Sequence, residues 1–391
     1  MPKILLTFSF FLFSFCLFAQ IPSIDNSNSL DVGTWNIEWF GDLTNGPSNE
    51  TTQYNNVKSA LTAMKPDMMG FAEISDVVLF SKLITELKGY DYTYSAFNGS
   101  QRMGLMVRSA TFSISNSRDV LTQFNYEFAG RPPLEVILDV KGNKSPVDRI
   151  IVFVLHMKAF NDATSYSRRK AGAEKLKSYI DSNYSGEYVI VLGDYNDDLD
   201  VSITSGNPSP YKNFVDDKSN YKFPTMELTL TTDHSTAGYS NMIDHILLTN
   251  EWFPYIETGR TKVMYLNKYI SSYSSNTSDH YPVYTQLTFP VYTSVADMNL
   301  EKPVSIPVLS AYPNPFNPET TIEIQNPGTT TQTLKIVDLL GREIRSFGFN
   351  ASGQKATLQW DGKSNNGQSV PSGVYIAVVS GGRSLKLVLV K

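Results

Sequence analysis

The chain has 391 residues, and this length exceeds what one hydrophobic core usually organises, so at least two domains are expected. With 41% hydrophobic and 18% charged residues, and with 22 tyrosines and 22 phenylalanines, the composition excludes a disordered protein and favours one rich in strands. A net charge of -5 at pH 7 excludes a general attraction to phosphate polymers, so contact with nucleic acid needs a local basic patch or a bound metal.

The N-terminus combines an early lysine with an apolar segment that ends at Ala19 and Gln20. This pattern is typical of a secretory signal peptide, which we place at residues 1–20. A membrane anchor is the alternative, but the segment is short for a bilayer span and no basic stop follows it. Cys16 is the only cysteine, so the mature chain has no disulfide, no thiolate zinc site and no cysteine nucleophile. We expect a secreted protein, extracellular or on the cell surface, with no stable membrane span after processing.

The segment from Leu30 to Leu287 alternates short apolar runs with helical patterns. Apolar residues at intervals of three and four predict amphipathic helices in TTQYNNVKSALTAMK and SRRKAGAEKLKSYI. Short runs with β-branched residues predict buried strands in LDVGTWNI, DMMGFAEI, RMGLMVRS, PLEVILDV, IIVFVLHM, YVIVLGDY, MIDHILLT and YPVYTQLT. The alternation predicts an α/β domain, which we place at residues 24–292.

Prolines mark a change in composition near residue 300. Each proline removes a backbone donor and fixes φ, so we predict an extended linker at residues 293–308. The remainder, residues 309–391, contains strand-like runs separated by glycine, asparagine and serine, which is typical of a small β-sandwich without helices. The runs are TTIEIQN, TLKIVDLLG, KATLQWDG, GVYIAVVS and SLKLVLVK. Ionisable residues form no cluster there, so no catalytic role is expected for this part.

Many apolar runs in the first domain end in, or follow, a carboxylate, an amide or an imidazole. These residues are Asn36, Glu38, Glu73, His156, Lys158, Asp194, Asn196, Asp244, His245, Asp279 and His280. Strand ends at one sheet edge are close in space and rigidly held, which suits a catalytic constellation. One such residue alone is more often solvated surface or part of the packing. Five strand ends with complementary chemistry favour a site, whereas the fourth histidine, His234, is predicted to be a loop residue.

These residue types suit the hydrolysis of a phosphate ester. The oxygen ligands of Glu73, Asn36 and Glu38 suit Mg²⁺ or Mn²⁺ rather than a soft metal. Asp194 beside Asn196 can hold and deprotonate a water, and a histidine paired with a carboxylate supplies acid and base near neutral pH. A serine hydrolase would need a G-x-S-x-G elbow, which the chain lacks. A zinc site of histidine and aspartate stays open, although the histidines show no H-E-x-x-H pairing.

Five segments in this order resemble the endonuclease/exonuclease/phosphatase superfamily, which has the DNase I-like fold, over roughly Leu30 to Leu287. TWNIEWF resembles its first motif, GFAEI its glutamate motif, HMKAF an internal histidine motif, GDYND its G-D-x-N motif and SDHYPV its closing S-D-H-x-P motif. One position departs from the pattern, because Ala72 stands where the family usually has an amide before the glutamate. The resemblance implies an α/β fold with four layers, an αββα sandwich.

The resemblance also implies a metal site. Glu73 is similar to the principal metal ligand of the family, with Asn36 and Glu38 beside it, and Asp279 would complete the metal side. The implied cofactor is Mg²⁺ or Mn²⁺, and Ca²⁺ suits the same oxygen ligands.

Catalytic roles follow from the same likeness. Asp194 and Asn196 resemble the pair that orients the attacking water and the phosphate. His280 is similar to the catalytic histidine at the reacting phosphate, with Asp244 as the acid that polarises it. His156 resembles a second histidine that assists the leaving group in the DNase I branch.

Members of the superfamily cleave DNA, RNA, inositol phosphates or sphingomyelin, so the fold does not decide the substrate. The segment HMKAFNDATSYSRRKAGAEKL, followed by GYSNMIDHILLT, looks like secreted bacterial nucleases. Arg131 is then similar to a phosphate-binding arginine, and Lys158, Arg168 and Arg169 would contact the nucleic-acid backbone, unless they are solvated charges on a helix. We expect a monomeric DNase. A sphingomyelinase-like phosphodiesterase of lipids or small molecules is the first alternative, and an adhesive surface protein with a vestigial site is the second.

The tail at residues 309–391 resembles the C-terminal sorting domain of the type IX secretion pathway, an immunoglobulin-like all-β sandwich. The likeness rests on YPNPFNPETTI, LKIVDLLGREI and SGVYIAVV. It implies the outer-membrane secretion machinery as a partner. A carbohydrate-binding or spacer module is the alternative.

Overall fold

The computed structural model describes residues 20–97, 99–141, 147–289, 308–325, 331–350, 355–379 and 384–391. The chain divides into two units, residues 1–290 and 291–391. The predicted signal peptide and linker lie outside the described residues, apart from residues 20 and 308. Within the described ranges, none of the helices combines the length and the apolar character needed to cross a bilayer.

The described part of the first unit contains twelve strands, and eight of them overlap the predicted apolar runs, so those predictions are confirmed. The strands are β1 (Ser29–Phe40), β2 (Met68–Ile74), β3 (Tyr90–Tyr94), β4 (Arg102–Arg108), β5 (Phe112–Asp119), β6 (Leu134–Val140), β7 (Arg149–His156), β8 (Val189–Asp194), β9 (Tyr221–Lys222), β10 (Asp244–Thr249), β11 (Lys262–Val263) and β12 (Val283–Thr288).

Helices of the same unit are α1 (Glu50–Met64), α2 (Val77–Leu87), α3 (Ala163–Asn183), α4 (Lys212–Val215), α5 (Met226–Thr229) and α6 (Tyr273–Asn276). Two of the long helices, α1 and α3, are the predicted ones. Their first turns are capped by acceptor side chains, because Asn49 accepts from the Thr52 amide and Asp162 accepts from the amides of Thr164 and Ser165.

Two six-stranded sheets form the centre of this unit. The strand order is β11-β12-β1-β2-β4-β3 in the first sheet and β5-β6-β7-β8-β10-β9 in the second. Most neighbours are antiparallel, but β1 and β2 are parallel, and so are β7 and β8. The register of the parallel pairs places Asn36 opposite Ala72 and His156 opposite Asp194, so their polar ends coincide at one edge.

An apolar core fills the space between the two sheets. It joins Val32 and Leu105 of the first sheet to Val152, Leu192 and residues of β10 in the second. The sheets approach so closely at Gly70 that an added Cβ would lie 2.0 Å from Leu192 Cδ1, which explains the glycine there.

Helices cover the outer face of each sheet. α1 and α2 pack on the first sheet around Trp35 and Phe71, and α3 packs on the second sheet around Phe153 and Val191. The order of layers is helix, sheet, sheet, helix. The predicted four-layer αββα sandwich is therefore confirmed.

The second unit is built from strands, with no helix among its described residues. They are β13 (Val308–Tyr312), β14 (Thr320–Gln325), β15 (Thr331–Val337), β16 (Glu343–Asn350), β17 (Lys355–Trp360), β18 (Gly373–Val379) and β19 (Ser384–Leu389). They form two sheets, of order β13-β14-β17 and β16-β15-β18-β19. Ile322 of one sheet and Ile336 of the other share a core around Trp360, so the predicted small β-sandwich is confirmed.

Candidate active site

The polar cluster at the sheet edge lies on the same strand faces that form the apolar core. Side chains alternate between the two faces of a strand, so residues two apart share a face. His156, Asp194 and Asp244 each lie two positions from a residue of the inter-sheet core on the same strand; these core residues are Val154, Leu192 and Ile246. The strands that build the core therefore also carry three ionisable side chains to its end.

Glu73 reaches the same place because β2 is irregular. The pairing of β2 with β4 shifts register between Phe71 and Ile74, and Glu73 has a φ of 63°. A matching irregularity in β1 gives Glu38 a φ of 42° and Trp39 a φ of 47°. Such left-handed positions in non-glycine residues cost about 1–3 kcal/mol each and cluster at functional sites.

Gly193 explains the glycine of the G-D-Y-N-D segment. Its φ is 147°, and an added Cβ would lie 2.1 Å from the carbonyl oxygen of Leu155 on the neighbouring strand. Any larger residue would push β8 away from β7 and displace the following side chain, Asp194.

Two carboxylates and an imidazole meet at the centre of the cluster. The amide nitrogen of Asn36 donates to Glu73 Oε1 and to Asp194 Oδ2, both at 3.1 Å. His156 Nε2 lies 3.5 Å from Glu73 Oε1 and 3.6 Å from Asp194 Oδ2. The Trp39 backbone amide donates to the second oxygen of Glu73 at 3.1 Å. Glu73, His156 and Asp194 each offer one ligand atom, and these atoms lie within 4.8 Å of one another.

His280 forms the other wall of the site. Its Nδ1 is 2.7 Å from Asp244 Oδ2, and its Nε2 is 3.9 Å from Asp194 Oδ2. Ser278 fixes this arrangement, because its hydroxyl donates to the Asn36 carbonyl at 2.7 Å and accepts from the His280 amide at 2.9 Å.

Burial and neighbouring charges give the two histidines different protonation states. Burial lowers the pKa of His156 well below its usual range, and the Arg131 cation adds to this. Burial also lowers the pKa of His280, but the carboxylates of Asp244 and Asp194 outweigh it and raise that pKa well above the usual range. His156 is therefore neutral and His280 is charged near pH 7.

A divalent cation fits the charge of this cluster. Among the described residues, no lysine or arginine nitrogen lies within 4.0 Å of a carboxylate oxygen of Glu73, Asp194 or Asp244. Burial raises the pKa of Asp194 to about 7, although the positive charge of His280 opposes this shift. Oxygen ligands and one imidazole suit Mg²⁺ or Mn²⁺.

The other predicted metal ligands lie beside this group. Asn36 gives its amide nitrogen to the two carboxylates while its oxygen accepts from the Glu38 amide at 3.0 Å, so it acts as a donor rather than an oxygen ligand. Glu38 accepts from the Asp279 amide at 2.8 Å. Burial, followed by the Asp279 charge, raises the pKa of Glu38 to about 7. Glu38 and Asp279 thus line the mouth of the site.

Asn196 lies at the base of the site. Its backbone amide donates to Asp194 Oδ1 at 2.9 Å, and its side-chain amide donates to the Met157 carbonyl at 3.1 Å. Its φ of 54° is a further left-handed position in this region.

The four predicted substrate contacts differ in their surroundings. Arg131 donates to the carbonyls of His156 and Met157, at 3.2 and 3.0 Å, and so borders the site. Lys158 and Arg168 lie at the surface near it. The prediction that Arg169 contacts substrate is wrong, because its side chain is fully buried and pairs with Asp197 at 2.7 Å.

His245 is a packing residue and not part of the site. It is fully buried, with Nε2 3.0 Å from the Met242 carbonyl and Nδ1 3.1 Å from the Thr225 hydroxyl. Burial lowers its pKa to about 3. His234 lies in a loop, as predicted, against the rings of Tyr265 and Tyr281.

Two serines that were not predicted as site residues support the site. Ser278 precedes the Asp-His pair directly, which is the signal that could have identified it. The Ser235 hydroxyl accepts from the backbone amides of Ile243 and Asp244, at 3.0 and 3.1 Å, and so fixes the start of β10. Ser235 lies nine residues before Asp244, and no sequence pattern connects the two.

The chain belongs to the endonuclease/exonuclease/phosphatase family, whose model matches residues 33–280. The chain is therefore a hydrolase of the endonuclease, exonuclease and phosphatase class. A second family, the secretion system C-terminal sorting domain, matches residues 310–390. The predicted type IX sorting domain is thereby confirmed, and it indicates secretion or a place at the cell surface.

Solved structures share the fold of the first unit. A humanized D. rerio TDP2 with 14 mutations is 15% identical, covers 68% of this chain and all of that chain (100%), and gives a TM-score of 0.51. D. rerio TDP2 complexed with single strand DNA product is 17% identical, with 66% and 98% of the two chains covered and a TM-score of 0.50. A mannosyl-6-phosphatase of Bacteroides thetaiotaomicron is 18% identical, with coverages of 67% and 100% and a TM-score of 0.46. A comparison with the curated proteins found no match.

Proposed function

We propose that the protein is a secreted, metal-dependent phosphodiesterase that hydrolyses nucleic acid, with DNA as its main substrate. The observation that carries this proposal is the position of Asp194 Oδ2 between two imidazoles, 3.6 Å from His156 Nε2 and 3.9 Å from His280 Nε2, beside an uncompensated Glu73. A phosphate at this point would meet a base, a neutral imidazole and a charged imidazole at once.

A divalent ion would be held by Glu73, Asp194 and His156, with Glu38 and Asp279 at the mouth. When bound, it would neutralise phosphate charge and polarise the phosphorus centre. This chemistry would explain why Glu73 and Asp194 lie together with no lysine or arginine nitrogen within 4.0 Å among the described residues.

Different residues of the chain carry out the individual proton transfers. Asp194 accepts the proton of the attacking water, and Asn196 holds its carboxylate through the 2.9 Å amide contact. His280 is positively charged because Asp244 lies 2.7 Å from it, so it donates to the oxygen on which negative charge develops. Neutral His156 would offer its Nε2 lone pair to the ion, and Arg131 fixes its backbone by donating to its carbonyl at 3.2 Å.

Four substrates offered to the purified protein test the proposal: plasmid DNA, RNA, a chromogenic phosphodiester and sphingomyelin, each with Mg²⁺ and with a chelator. We expect the fastest hydrolysis with DNA and its loss with the chelator. Undiminished hydrolysis in the chelator, or DNA left intact while another substrate is consumed, would contradict it.

A phosphodiesterase of lipids or small molecules is the second candidate, and the net charge of -5 favours it. Salt separates the two, because only a polyanion releases many counterions on binding. A KM for the preferred substrate that rises steeply with salt supports the nuclease, and a flat response supports the second candidate.

Export is also part of the proposal. The matched sorting domain at residues 310–390 supports passage through the outer-membrane secretion machinery, and residues 1–20 would direct export from the cytoplasm. We propose residues 24–292 as the catalytic domain and residues 293–308 as the linker between it and the sorting domain at 309–391.

A further inference from the structure

An exposed and strained aromatic residue stands next to the active site. Phe160 follows His156 by four positions, its side chain is 70% exposed, and its φ is 79°. Left-handed backbone is rare for bulky residues, and an exposed ring gains nothing from burial. Neither feature stabilises the fold, so the position of this ring calls for another explanation.

Arg169 holds the left-handed backbone of Phe160 through hydrogen bonds from the protein interior. Its Nη1 donates to the carbonyls of Lys158 and Phe160, both at 2.7 Å, while Asp197 neutralises its charge at 2.7 Å. The arginine is fully buried, so the loop is held from the interior and its side chains point outward. Arg169 is therefore a positioning residue for the loop that carries Lys158 and Phe160.

A cation lies over each of two exposed aromatic rings beside the active site. Lys158 Nζ lies 4.2 Å from the Phe160 ring centroid, and the Arg168 guanidinium lies 4.3 Å from that of Tyr126, which is 63% exposed. Among the described residues, no carboxylate oxygen lies within 4.0 Å of either cation. We call Lys158, Phe160, Tyr126 and Arg168 the aromatic rim.

The aromatic rim is electrostatically continuous with the active site. Lys158 lies only two positions after His156, and the cations of Arg168 and Arg131 are near enough to interact with its charge. Arg131 in turn donates to the His156 carbonyl at 3.2 Å. A groove of about 340 Å³ lies along Tyr126, Arg168 and the start of α3, at the lower limit of known small-ligand sites.

We propose that the aromatic rim binds a single-stranded segment of nucleic acid beside the scissile phosphate, with bases stacked on Phe160 and Tyr126 and phosphates on Lys158 and Arg168. This inference rests on the proposed nuclease function and names the form of its substrate. Bases in a duplex are stacked on each other, whereas the faces of unpaired bases are free for a protein ring. Alternating rings and cations match the alternation of bases and phosphates along one strand.

Steady-state kinetics of purified variants on three substrates test the proposal: a single-stranded oligonucleotide, a hairpin duplex of the same sequence and a chromogenic phosphodiester. For Phe160→Ala we expect KM on the single strand to rise about tenfold, because base stacking on an aromatic residue contributes about 1–3 kcal/mol. Phe160→Trp should restore the wild-type KM, since it keeps a stacking face. For Lys158→Ala, the slope of log KM against log salt should fall by about one.

Lys170→Ala is the matched control. Lys170 is exposed on the same helix as Arg168, but two positions later and about 200° around the helix axis. It removes the same charge without touching the aromatic rim, so KM on the single strand should change less than twofold.

The outcomes separate this inference from the proposed function. If the wild type cleaves both nucleic acids and Phe160→Ala leaves KM unchanged, the rim assignment is wrong and the nuclease stands. If Phe160→Ala raises KM equally on single strand and duplex, the preference for single strands is wrong. An equal loss of kcat on all three substrates would assign Phe160 a structural role and overturn the proposal. If the wild type cleaves neither nucleic acid, the nuclease function fails, and the rim inference fails with it.

Discussion

The two ends of the central sheet pair both contain buried acids, but they balance the negative charge differently. At the end opposite the site, Arg108 pairs with Asp67 at 2.9 Å and with Asp25 at 3.2 Å. Asp31 beside them accepts from the Ser29 hydroxyl at 2.7 Å and from other donors. At the site end, Glu73 and Asp194 have amide donors and the imidazoles of His156 and His280, and no arginine or lysine within 4.0 Å among the described residues.

The difference identifies the end that binds a ligand. Buried carboxylates are stable when a cation or several donors compensate them, and a fold that stabilised only itself would compensate both ends alike. Left-handed non-glycine backbone occurs at both ends, but Glu38, Trp39, Glu73 and Asn196 lie at the site end, against Lys65 beside Arg108 at the other. The structural end is satisfied by the chain itself, and the site end needs a partner from outside.

The largest expected effect is on turnover, and it should be confined to the site end. Asp194→Asn and His280→Ala should each lower kcat by about 10³-fold or more, because they remove a proton acceptor and a charged donor. Asp67→Asn is the control at the structural end and should change kcat less than twofold. Steady-state hydrolysis of DNA measures this, with circular dichroism to show retained folding. A similar loss in all three variants would remove the distinction between the ends.

The free energy of unfolding should depend on the ion pair at the structural end. Arg108→Met leaves the fully buried Asp67 without its arginine and should lower the free energy of unfolding by about 2–3 kcal/mol. Lys58→Met, which removes a surface pair with Glu86, should lower it much less, because solvent screens an exposed pair. Chemical denaturation compares the two. Equal effects would mean that the Arg108 pair contributes no more than a surface pair.

The smallest effect is a pH dependence at the structural end. Burial raises the pKa of Asp31 from 3.8 to about 6, so between these values the folded state keeps a proton that the unfolded state has released. The stabilising contribution is therefore present below 3.8 and is lost as the pH rises through about 6. Asp31→Asn cannot lose this proton. Relative to it, the wild type should lose about 1–2 kcal/mol of unfolding free energy from pH 4 to pH 7. A constant difference would contradict the raised pKa.

The sequence predicted the regular parts of this architecture well, because buried strands leave a strong apolar signal. The eight apolar runs, α1 and α3 are all present. Among the longer elements of the first unit, β3, β5 and α2 were missed, as were the two-residue strands β9 and β11 and the four-residue helices α4, α5 and α6. β3 and β5 have mixed burial and little apolar content, and α2 follows β2 after a break of only two residues. The capping side chain of Asp76, which accepts from two amides, was the signal for the start of α2.

The candidate site was predictable in membership but not in geometry. Motif order predicted that Glu73, His156, Asp194 and His280 lie together, and the structure brings them into one cluster. The direction of side chains could not be predicted, because the irregularities in β1 and β2 change which face each residue occupies. Burial on α3 was also not predictable, because Arg168 is half-buried whereas its neighbour Arg169 is fully buried.

Calorimetric titration of Mn²⁺ into the purified protein tests the contrast between the two ends most directly. We expect wild type and Asp67→Asn to bind Mn²⁺ with the same affinity, and Glu73→Gln to bind at least tenfold more weakly, because among the described residues no lysine or arginine nitrogen lies within 4.0 Å of the Glu73 carboxylate. Unchanged affinity in Glu73→Gln, or lost binding in Asp67→Asn, would contradict the account.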